Sequence, residues 1–333
     1  MGAFLFKRGL GAVPVLLLVS ALVYTLLHLA PGDPASLLLP EDATDADIAA
    51  ARHTWGLDQP IWLQYFYFLR NALTGNLGRS FRYARPVVQL MMERVPATLE
   101  LSLFALVIAL AIAIPIGVLA GARPDSAADN AGSTLGLFGI SMPSFWFGIM
   151  LILLFAGVFH LLPSAGRSSY GVSGQSLTGF YFFASLFGGR WAAAWDALQH
   201  LLLPALTLGC GMEGIIMRLT RSSVLEASRD DHVVVARAKG LMSRLVLRRH
   251  VLRSAMIPVV TIAGLELGRV LSESVITETV FAWPGVGNLL ITAVSARDYP
   301  LVTGIVLLFA AAFVVLNLLV DLVYAAADPR IRL

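Results

Sequence analysis

The stretch that decides the fold is EASRDDHVVVARAKGLMSRLVLRRHVLRSAMIP, residues 226–258. Residues 219–255 hold eight of the 24 lysines and arginines of a chain in which only 14% of residues are charged. Apolar residues recur at helical spacing on both sides of Gly240, a residue suited to the left-handed position that ends a helix. The stretch therefore predicts a helix over residues 222–239, a bend at Gly240, and a second helix from about Ser243 through His250 toward Pro258.

The composition around this stretch is typical of a membrane protein. Hydrophobic residues make up 57% of the chain and the mean hydropathy is +0.77, whereas a soluble domain carries about 25% charged residues and fewer apolar ones. The single cysteine, Cys210, excludes an intramolecular disulfide and a cysteine-based metal cluster. The net charge of +3 is expected to reflect loops that face anionic membrane lipid, so no nucleic acid partner is predicted.

Six apolar stretches are long enough to cross roughly 30 Å of hydrocarbon, which takes about 20 helical residues. The sequence therefore predicts an all-α integral membrane protein with six transmembrane helices. They cover residues 10–30, 97–121, 134–161, 200–219, 256–275 and 301–326.

The distribution of basic residues predicts the orientation of these spans. The loop at residues 219–255 has eight Lys and Arg, whereas residues 161–199 have two and residues 279–300 have one. Because short basic loops stay in the cytoplasm, the loop and both termini are predicted to be cytoplasmic. The chain then divides into residues 1–30 with the first helix, a periplasmic segment at 31–96, and a core membrane domain at 97–333 that includes the loop 219–255.

Three charged residues fall on one face of the fifth predicted span. Glu266, Arg269 and Glu273 are spaced i, i+3 and i+7. Each charge inside a membrane costs about 2.5–3.5 kcal/mol on insertion scales, so such residues face protein or water. They are a candidate translocation path, whose glutamates and arginine would complement the two ends of a zwitterionic peptide. A structural ion pair that packs this helix against a partner helix is the alternative.

The chain lacks the residues needed to hydrolyse ATP itself. A P-loop requires Gly-Lys-Ser/Thr, in which lysine reaches the phosphates and the hydroxyl holds magnesium. The two lysines, Lys7 and Lys239, are followed by Arg8 and Gly240. No catalytic, cofactor or metal site is predicted in this chain, and any ATP and Mg would be bound by partner subunits.

The basic loop resembles a known cytoplasmic loop. ARAKGL (236–241) followed by RHVLRSAMIP (249–258) is similar to the EAA-x3-G-x9-I-x-LP pattern of binding-protein-dependent ABC importer permeases, with Gly240 as the glycine. His250 replaces the usual Ile, Arg253 the usual Pro, and His232 a usual Tyr. Further similar segments follow in order along the chain: LAPGDP (29–34), GLDQPIWLQY (56–65), GNLGRSF (75–81), RVPATLELS (94–102), ISMPSFWFGI (140–149), HLLLPALTLG (200–209), ETVFAWPGVGNLL (278–290), RDYPLV (297–302) and NLLVDLVYAAADPRIR (317–332).

By these motifs the chain is identified as a member of the B-type permeases of the dipeptide/oligopeptide/nickel transporter family. The resemblance implies a type I ABC importer permease fold in the bacterial inner membrane. It also implies a heterodimer with a C-type permease, two cytoplasmic ATPase subunits and a periplasmic substrate-binding protein. The residues that it implies for coupling to the ATPase are Val234, Val235, Ala236, Arg237, Ala238, Lys239, Gly240 and Leu241, of which 234–236 occupy the EAA positions.

Several functions remain open from the sequence. The resemblance implies uptake of di- or oligopeptides, but nickel chelates, glutathione or another small solute are alternatives. A proton-coupled secondary transporter is a rival that would use Glu266 and Glu273. GVSG at 171–174 resembles the nucleophile motif of an intramembrane serine protease, although its polar surroundings favour coincidence.

Overall fold

The computed structural model describes residues 2–29, 35, 39, 43–169 and 179–327. Regular structure in this part of the chain is helical, apart from one antiparallel bridge between Arg79 and Pro86. The all-α prediction is therefore confirmed. The helices are α1 (Gly2–Leu29), α2 (Asp45–Trp55), α3 (Ile61–Leu73), α4 (Val87–Ala122), α5 (Ala127–Ser141), α6 (Ser144–Leu151), α7 (Tyr181–Phe187), α8 (Trp191–Ala227), α9 (Asp231–Ala238), α10 (Ser243–Val246), α11 (Leu252–Val280), α12 (Val286–Ser295) and α13 (Tyr299–Ala327).

Four helical segments in the described residues are long and apolar enough to cross a membrane. They contain the predicted spans 97–121, 200–219, 256–275 and most of 301–326. The pair α5 and α6 gives a fifth candidate if it is counted as one span. The apolar part of α1 that can be assessed, Val13–Leu26, is shorter than a full span. The structure thus supports a membrane protein with four to five candidate spans.

The predicted span at 134–161 is broken by a sharp bend, and it counts as one span only if α5 and α6 cross the membrane together. Helix α5 ends at Ser141, α6 begins at Ser144, and the two helices are bent by 106°. Met142 adopts an extended backbone because the ring of Pro143 disfavours helical geometry in the preceding residue. Pro143 also has no N–H to donate to the preceding turn. Helix α6 then continues into a π-helical segment, Ile152–Val158.

The chain divides into two compact units that are interleaved along the sequence. The first unit comprises Met1–Thr98 and Pro284–Val314, and the second comprises Leu99–Trp283 and Val315–Leu333. The predicted division at residues 30 and 96 stays a prediction.

The first unit is organised around the turn at residues 79–86. The Asp298 carboxylate accepts hydrogen bonds from the Ser80 hydroxyl and from the backbone N–H groups of Phe81 (3.1 Å) and Arg82 (3.2 Å). This contact joins GNLGRSF to RDYPLV, two segments that are more than 200 residues apart in the sequence. The core beneath the turn is formed by apolar residues of α4, α12 and α13, among them Val87, Met91, Val286, Leu289, Leu301 and Ile305.

The second unit is built around α8, against which α4 and α5 approach through glycines. A Cβ on Gly121 of α4 would lie 2.6 Å from the Arg221 carbonyl oxygen, and one on Gly139 of α5 would lie 2.6 Å from the Cys210 carbonyl oxygen. Gly136 and Gly214 face each other across α5 and α8 so closely that a Cβ on Gly214 would overlap the Gly136 carbonyl. Such close approach is typical of helix packing in membranes, where small residues let backbones meet.

Candidate functional site

The basic loop begins with a break in helical structure. Helix α8 ends at Ala227, residues 228–230 form a turn, and α9 starts at Asp231. The predicted single helix over 222–239 is therefore wrong. Asp230 adopts an extended N-cap conformation with Asp231 in the first turn of α9, and acidic residues are favoured at helix N-termini. These two aspartates indicate the start of a new helix, which the spacing of the apolar residues alone does not show.

The bend at Gly240 is present as predicted. Gly240 has φ +76°, and its N–H donates to the Arg237 carbonyl at the end of α9. The next helix, α10, begins at Ser243 and continues through a π-helical segment, Leu247–Val251, into α11. Pro258 lies inside α11 without ending it. We call residues 231–246, with Gly240 at the bend, the elbow.

The elbow rests on its own small apolar core. Val233 and Ala236 of α9 and Val246 of α10 are buried together with Val224, Ala227, Val251 and Ala255. This core connects the ends of α8 and α11 to both arms of the elbow, so movement of the elbow must be shared by these helices. The periodicity that predicted two helices arises from these buried positions.

The outer side of the elbow is exposed, and it holds most of the residues that the sequence singled out for coupling. Ala236 is the exception, because it is buried in the core beneath. The exposed residues are Val234, Val235, Arg237, Ala238, Lys239, Gly240 and Leu241. Two valines and a leucine exposed beside two cations provide an apolar contact surface with a positive rim.

Three of the charged residues of α11, Glu266, Arg269 and Glu273, form a ladder along that helix. The Arg269 guanidinium donates to the carboxylates of Glu266 (3.2 Å) and Glu273 (2.8 Å). Glu266 is buried, whereas the Arg269 side chain is 53% exposed and that of Glu273 is 39% exposed. The structure thus brings the predicted residues together, and the open side of the arginine remains accessible in this chain.

A buried ion pair that the sequence reading missed joins α4 to Arg167, in the segment between α6 and α7. The Glu100 carboxylate is fully buried and accepts from Arg167 (2.6 Å) and from the backbone N–H of Phe182 (2.9 Å). The Arg167 guanidinium also lies 5.6 Å from the ring centroid of Trp283. Burial raises the pKa of the neighbouring Tyr181 phenol, and the Asp196 carboxylate adds to this effect. The sequence feature that could have indicated this ion pair is Glu100, a glutamate within the apolar motif 94–102.

A second missed ion pair lies where α5 begins and α8 nears its end. Arg221 binds the Asp129 carboxylate through both Nε and Nη2, the latter at 2.7 Å. Asp129 also accepts the backbone N–H of Asp125 at 3.0 Å and is buried. The two residues are 92 positions apart, so helical periodicity carries no sign of their contact. The GVSG segment at 171–174 lies outside the described residues.

These features define a class of protein. Helices of membrane-spanning length pack through glycines, and an exposed helical elbow connects α8 to α11. Such a chain is an integral membrane component with an exposed helical elbow.

Comparison with known proteins identifies the family. Residues 113–333 match the family described as binding-protein-dependent transport system inner membrane component, and residues 1–102 match its N-terminal membrane component family. The chain is 40% identical over 337 residues to the dipeptide transport system permease protein DppB of Escherichia coli, covering 99% of this chain and 98% of that one. It is 37% identical over 332 residues to DppB of Alkalihalophilus pseudofirmus, covering 100% of both chains.

Two other similarities bear on substrate and fold. The chain is 37% identical over 329 residues to the glutathione transport system permease protein GsiC of Salmonella choleraesuis, covering 99% of this chain and 98% of GsiC. A chain from inward-facing structures of the MetNI methionine ABC transporter superposes with a TM-score of 0.54 at 17% identity, covering 72% of this chain and 97% of that one. The latter match shows the ABC transporter permease fold.

The chain therefore belongs to the binding-protein-dependent transport system inner membrane components. It is an inner-membrane permease of an ABC importer and is not the ATPase subunit. Membership implies a separate ATPase and a substrate-binding protein as partners. It favours ATP-driven import over the proton-coupled alternative.

The Glu100–Arg167 pair generates a stability prediction. Replacing Arg167 with alanine leaves a buried carboxylate without its cation, which typically costs about 3–5 kcal/mol. We expect the apparent melting temperature of the purified permease to fall by several degrees in Arg167→Ala. Arg190→Ala, which removes an exposed arginine between α7 and α8, is the matched control and is expected to change the melting temperature little. Equal melting temperatures for the two variants would contradict this account of the pair.

Proposed function

We propose that this chain is one of two permease subunits of a type I ABC importer that moves di- or oligopeptides into the cytoplasm. The single observation that carries the proposal is the elbow, an exposed helical bend seated on an apolar core between α8 and α11. The second permease would be a related C-type subunit. Two ATPase subunits would bind ATP and Mg in the cytoplasm, and a periplasmic binding protein would deliver the solute.

In this proposal the chain has six spans, with both termini in the cytoplasm. Helix α1 is the first span, because its 28 residues reach about 42 Å at 1.5 Å per residue. The bent pair α5 and α6 forms the third span. The eight basic residues in 219–255 support a cytoplasmic position for the elbow, because positive loops remain on that side during insertion. The elbow then faces the compartment that contains ATP.

The exposed side of the elbow would dock into a cleft of an ATPase subunit. Val234, Val235 and Leu241 supply apolar area, and Arg237 and Lys239 supply charge that selects the partner and its register. Ala238 and Gly240 permit close approach, whereas Ala236 supports α9 from beneath. Switching a two-state gate from 1:99 to 99:1 requires about 5.5 kcal/mol of differential binding. A permease that binds no nucleotide would receive this free energy through the elbow.

The charge ladder of α11 is the proposed lining of the path. One arginine between two glutamates offers complementary charge to both ends of a zwitterionic peptide. The half-exposed Arg269 and Glu273 are accessible, whereas the buried Glu266 holds the arginine in place. The competing role is packing against the C-type permease, which would cover the same exposed groups.

The substrate class rests on the relatives. The DppB proteins that the chain matches over their full length are named as dipeptide permeases, which supports a short peptide. The equally long match to GsiC, named as a glutathione permease, makes glutathione the alternative. Glutathione is itself a tripeptide with free carboxylates and an amine, so the two assignments share one recognition chemistry.

Gly240 provides the test of coupling. A leucine at φ +76° is strained, but its Cβ would meet no atom within 4 Å, so the permease is expected to remain folded. We expect Gly240→Leu to lose most substrate-stimulated ATPase activity and uptake in the reconstituted importer, because the side chain obstructs docking. Gly75→Leu is the matched control, since Gly75 has φ +77° and equally open surroundings but lies outside the elbow. Unchanged stimulation in Gly240→Leu would refute the assignment.

Uptake of a labelled dipeptide tests the ladder and the substrate together. Hydrogen bonds to charged groups contribute about 1.5–3 kcal/mol, so Arg269→Ala is expected to lower uptake by about tenfold or more. Glu273→Gln is expected to lower it less, while Ser272→Ala, at an exposed neighbouring position, leaves it unchanged. Normal uptake in both ladder variants would remove the path role. Transport of glutathione in place of the dipeptide by the wild-type importer would select the alternative substrate.

A further inference from the structure

Helix α3 presents an apolar stripe that no residue of the described chain covers. Trp62, Phe66 and Leu73 are 70%, 58% and 90% exposed. Together with Leu69 they are spaced i, i+4, i+7 and i+11, which places them on one face of the helix. Arg70, in the last turn, is the one charged residue of α3. A stripe of this kind, led by a tryptophan, is unfavourable in water.

The opposite face of α3 is polar and lines a cavity. Gln64 and Asn71 lie on the side of the helix away from Trp62, and both border a cavity of about 760 Å³ within the first unit. Tyr67 and Phe68 border the same cavity. Helix α3 thus borders the cavity with Gln64 and Asn71 on one side and has an exposed apolar stripe on the other.

The contacts of α3 with α1 place it at a definite level along α1. The Tyr65 hydroxyl donates to the Leu17 carbonyl (3.1 Å) and lies 2.9 Å from the Ser20 hydroxyl. The Gln64 side-chain oxygen accepts from the Tyr24 hydroxyl at 3.3 Å. The rings of Tyr24 and Phe68 are 6.0 Å apart. Helix α3 therefore packs against the last three turns or so of α1 rather than beyond its end.

This level corresponds to the outer half of a bilayer. Helix α1 ends at Leu29, and Ser20 lies nine residues earlier, about 14 Å deeper at 1.5 Å per residue. Half of the hydrocarbon core is about 15 Å thick. If α1 is the first span, a helix that contacts it between Ser20 and Tyr24 lies roughly 8 to 14 Å below that end, within the acyl chains of the outer leaflet.

We propose that α3 is an interfacial helix in the outer leaflet, with Trp62, Phe66, Leu69 and Leu73 in contact with lipid acyl chains. The inference rests on the proposed six-span topology, because the depth of α3 is measured along α1. Lipid is favoured over a protein partner by that depth and by the near absence of charge on the helix. The single Arg70 at its end can reach phosphate headgroups, and tryptophan is typical of the membrane interface.

Spin labelling of the assembled importer in liposomes tests this placement. In a Cys210→Ala background, single cysteines are introduced at Phe66, at Asp58 in the exposed loop before α3, and at Leu22 on the exposed side of α1. Each label is then probed with oxygen, which partitions into lipid, and with a water-soluble nickel chelate. We expect the Phe66 label to collide with oxygen and to exclude the nickel chelate, because the label lies about 5–10 Å below the headgroup boundary. The Asp58 label is expected to behave in the opposite way.

The outcomes separate the possible occupants of the stripe. If the nickel chelate reaches the Phe66 label as readily as the Asp58 label, the inference is overturned. Exclusion of both oxygen and the nickel chelate from the Phe66 label would also overturn it, because that result indicates that protein covers the stripe. Leu73→Cys provides a second label on the stripe should Phe66→Cys assemble poorly. A water-exposed Leu22 label would remove the span on which the inference rests and overturn it together with the topology. Loss of peptide uptake with the expected depths would count against the proposed function alone.

Discussion

Close contact between helix backbones is the constraint on which the second unit depends. In a bilayer the lipid is as apolar as the side chains, so helices associate through packing rather than through the hydrophobic effect. Helix α8 meets this requirement on two sides, because glycines of α4 and α5 bring their backbones against it. At Gly136 and Gly214 both partners are glycine, and the Asp129–Arg221 pair connects the same two helices nearer the elbow. A helix held in this way moves as one body with its neighbours.

The close packing of α8 against its neighbours determines how movement of the elbow would be transmitted. The elbow follows α8 after a three-residue turn at 228–230, and its buried core contains Val224 and Ala227 of α8 together with Ala255 of α11. A displacement of α9 therefore cannot be absorbed locally without opening this core. Under the proposed function, the ATPase pushes on the exposed side of α9, and the shared core transmits the movement to two long helices. One of these carries the charge ladder proposed to line the path.

Much of the fold could be predicted from the sequence because its signals are local. Long apolar runs gave four spans that the described helices contain, and Gly240 and Ser243 gave the end and start of the elbow helices. The errors are also local in origin: Pro143 follows a sharp bend within a run that reads as one span, and Asp230 starts a new helix within a run that reads as continuous.

The contacts between distant residues could not be predicted from such signals. Glu100 and Arg167 are 67 residues apart, Asp129 and Arg221 are 92 residues apart, and neither pair leaves a periodic pattern in the sequence. The depth of α3 likewise depends on its hydrogen bonds to α1, although the stripe itself can be read from the spacing of its apolar residues. The roles of the elbow and of the ladder depend on partner chains, which a single sequence does not contain.

Photocrosslinking from the elbow tests the central claim most directly. A photoreactive residue at Ala238 is incorporated into the importer assembled in native membranes, and the same residue at Thr279, at the other end of α11, serves as the control. The account predicts that position 238 crosslinks to an ATPase subunit and that position 279 does not. Crosslinks from position 238 to lipid alone, in every nucleotide state, would contradict it.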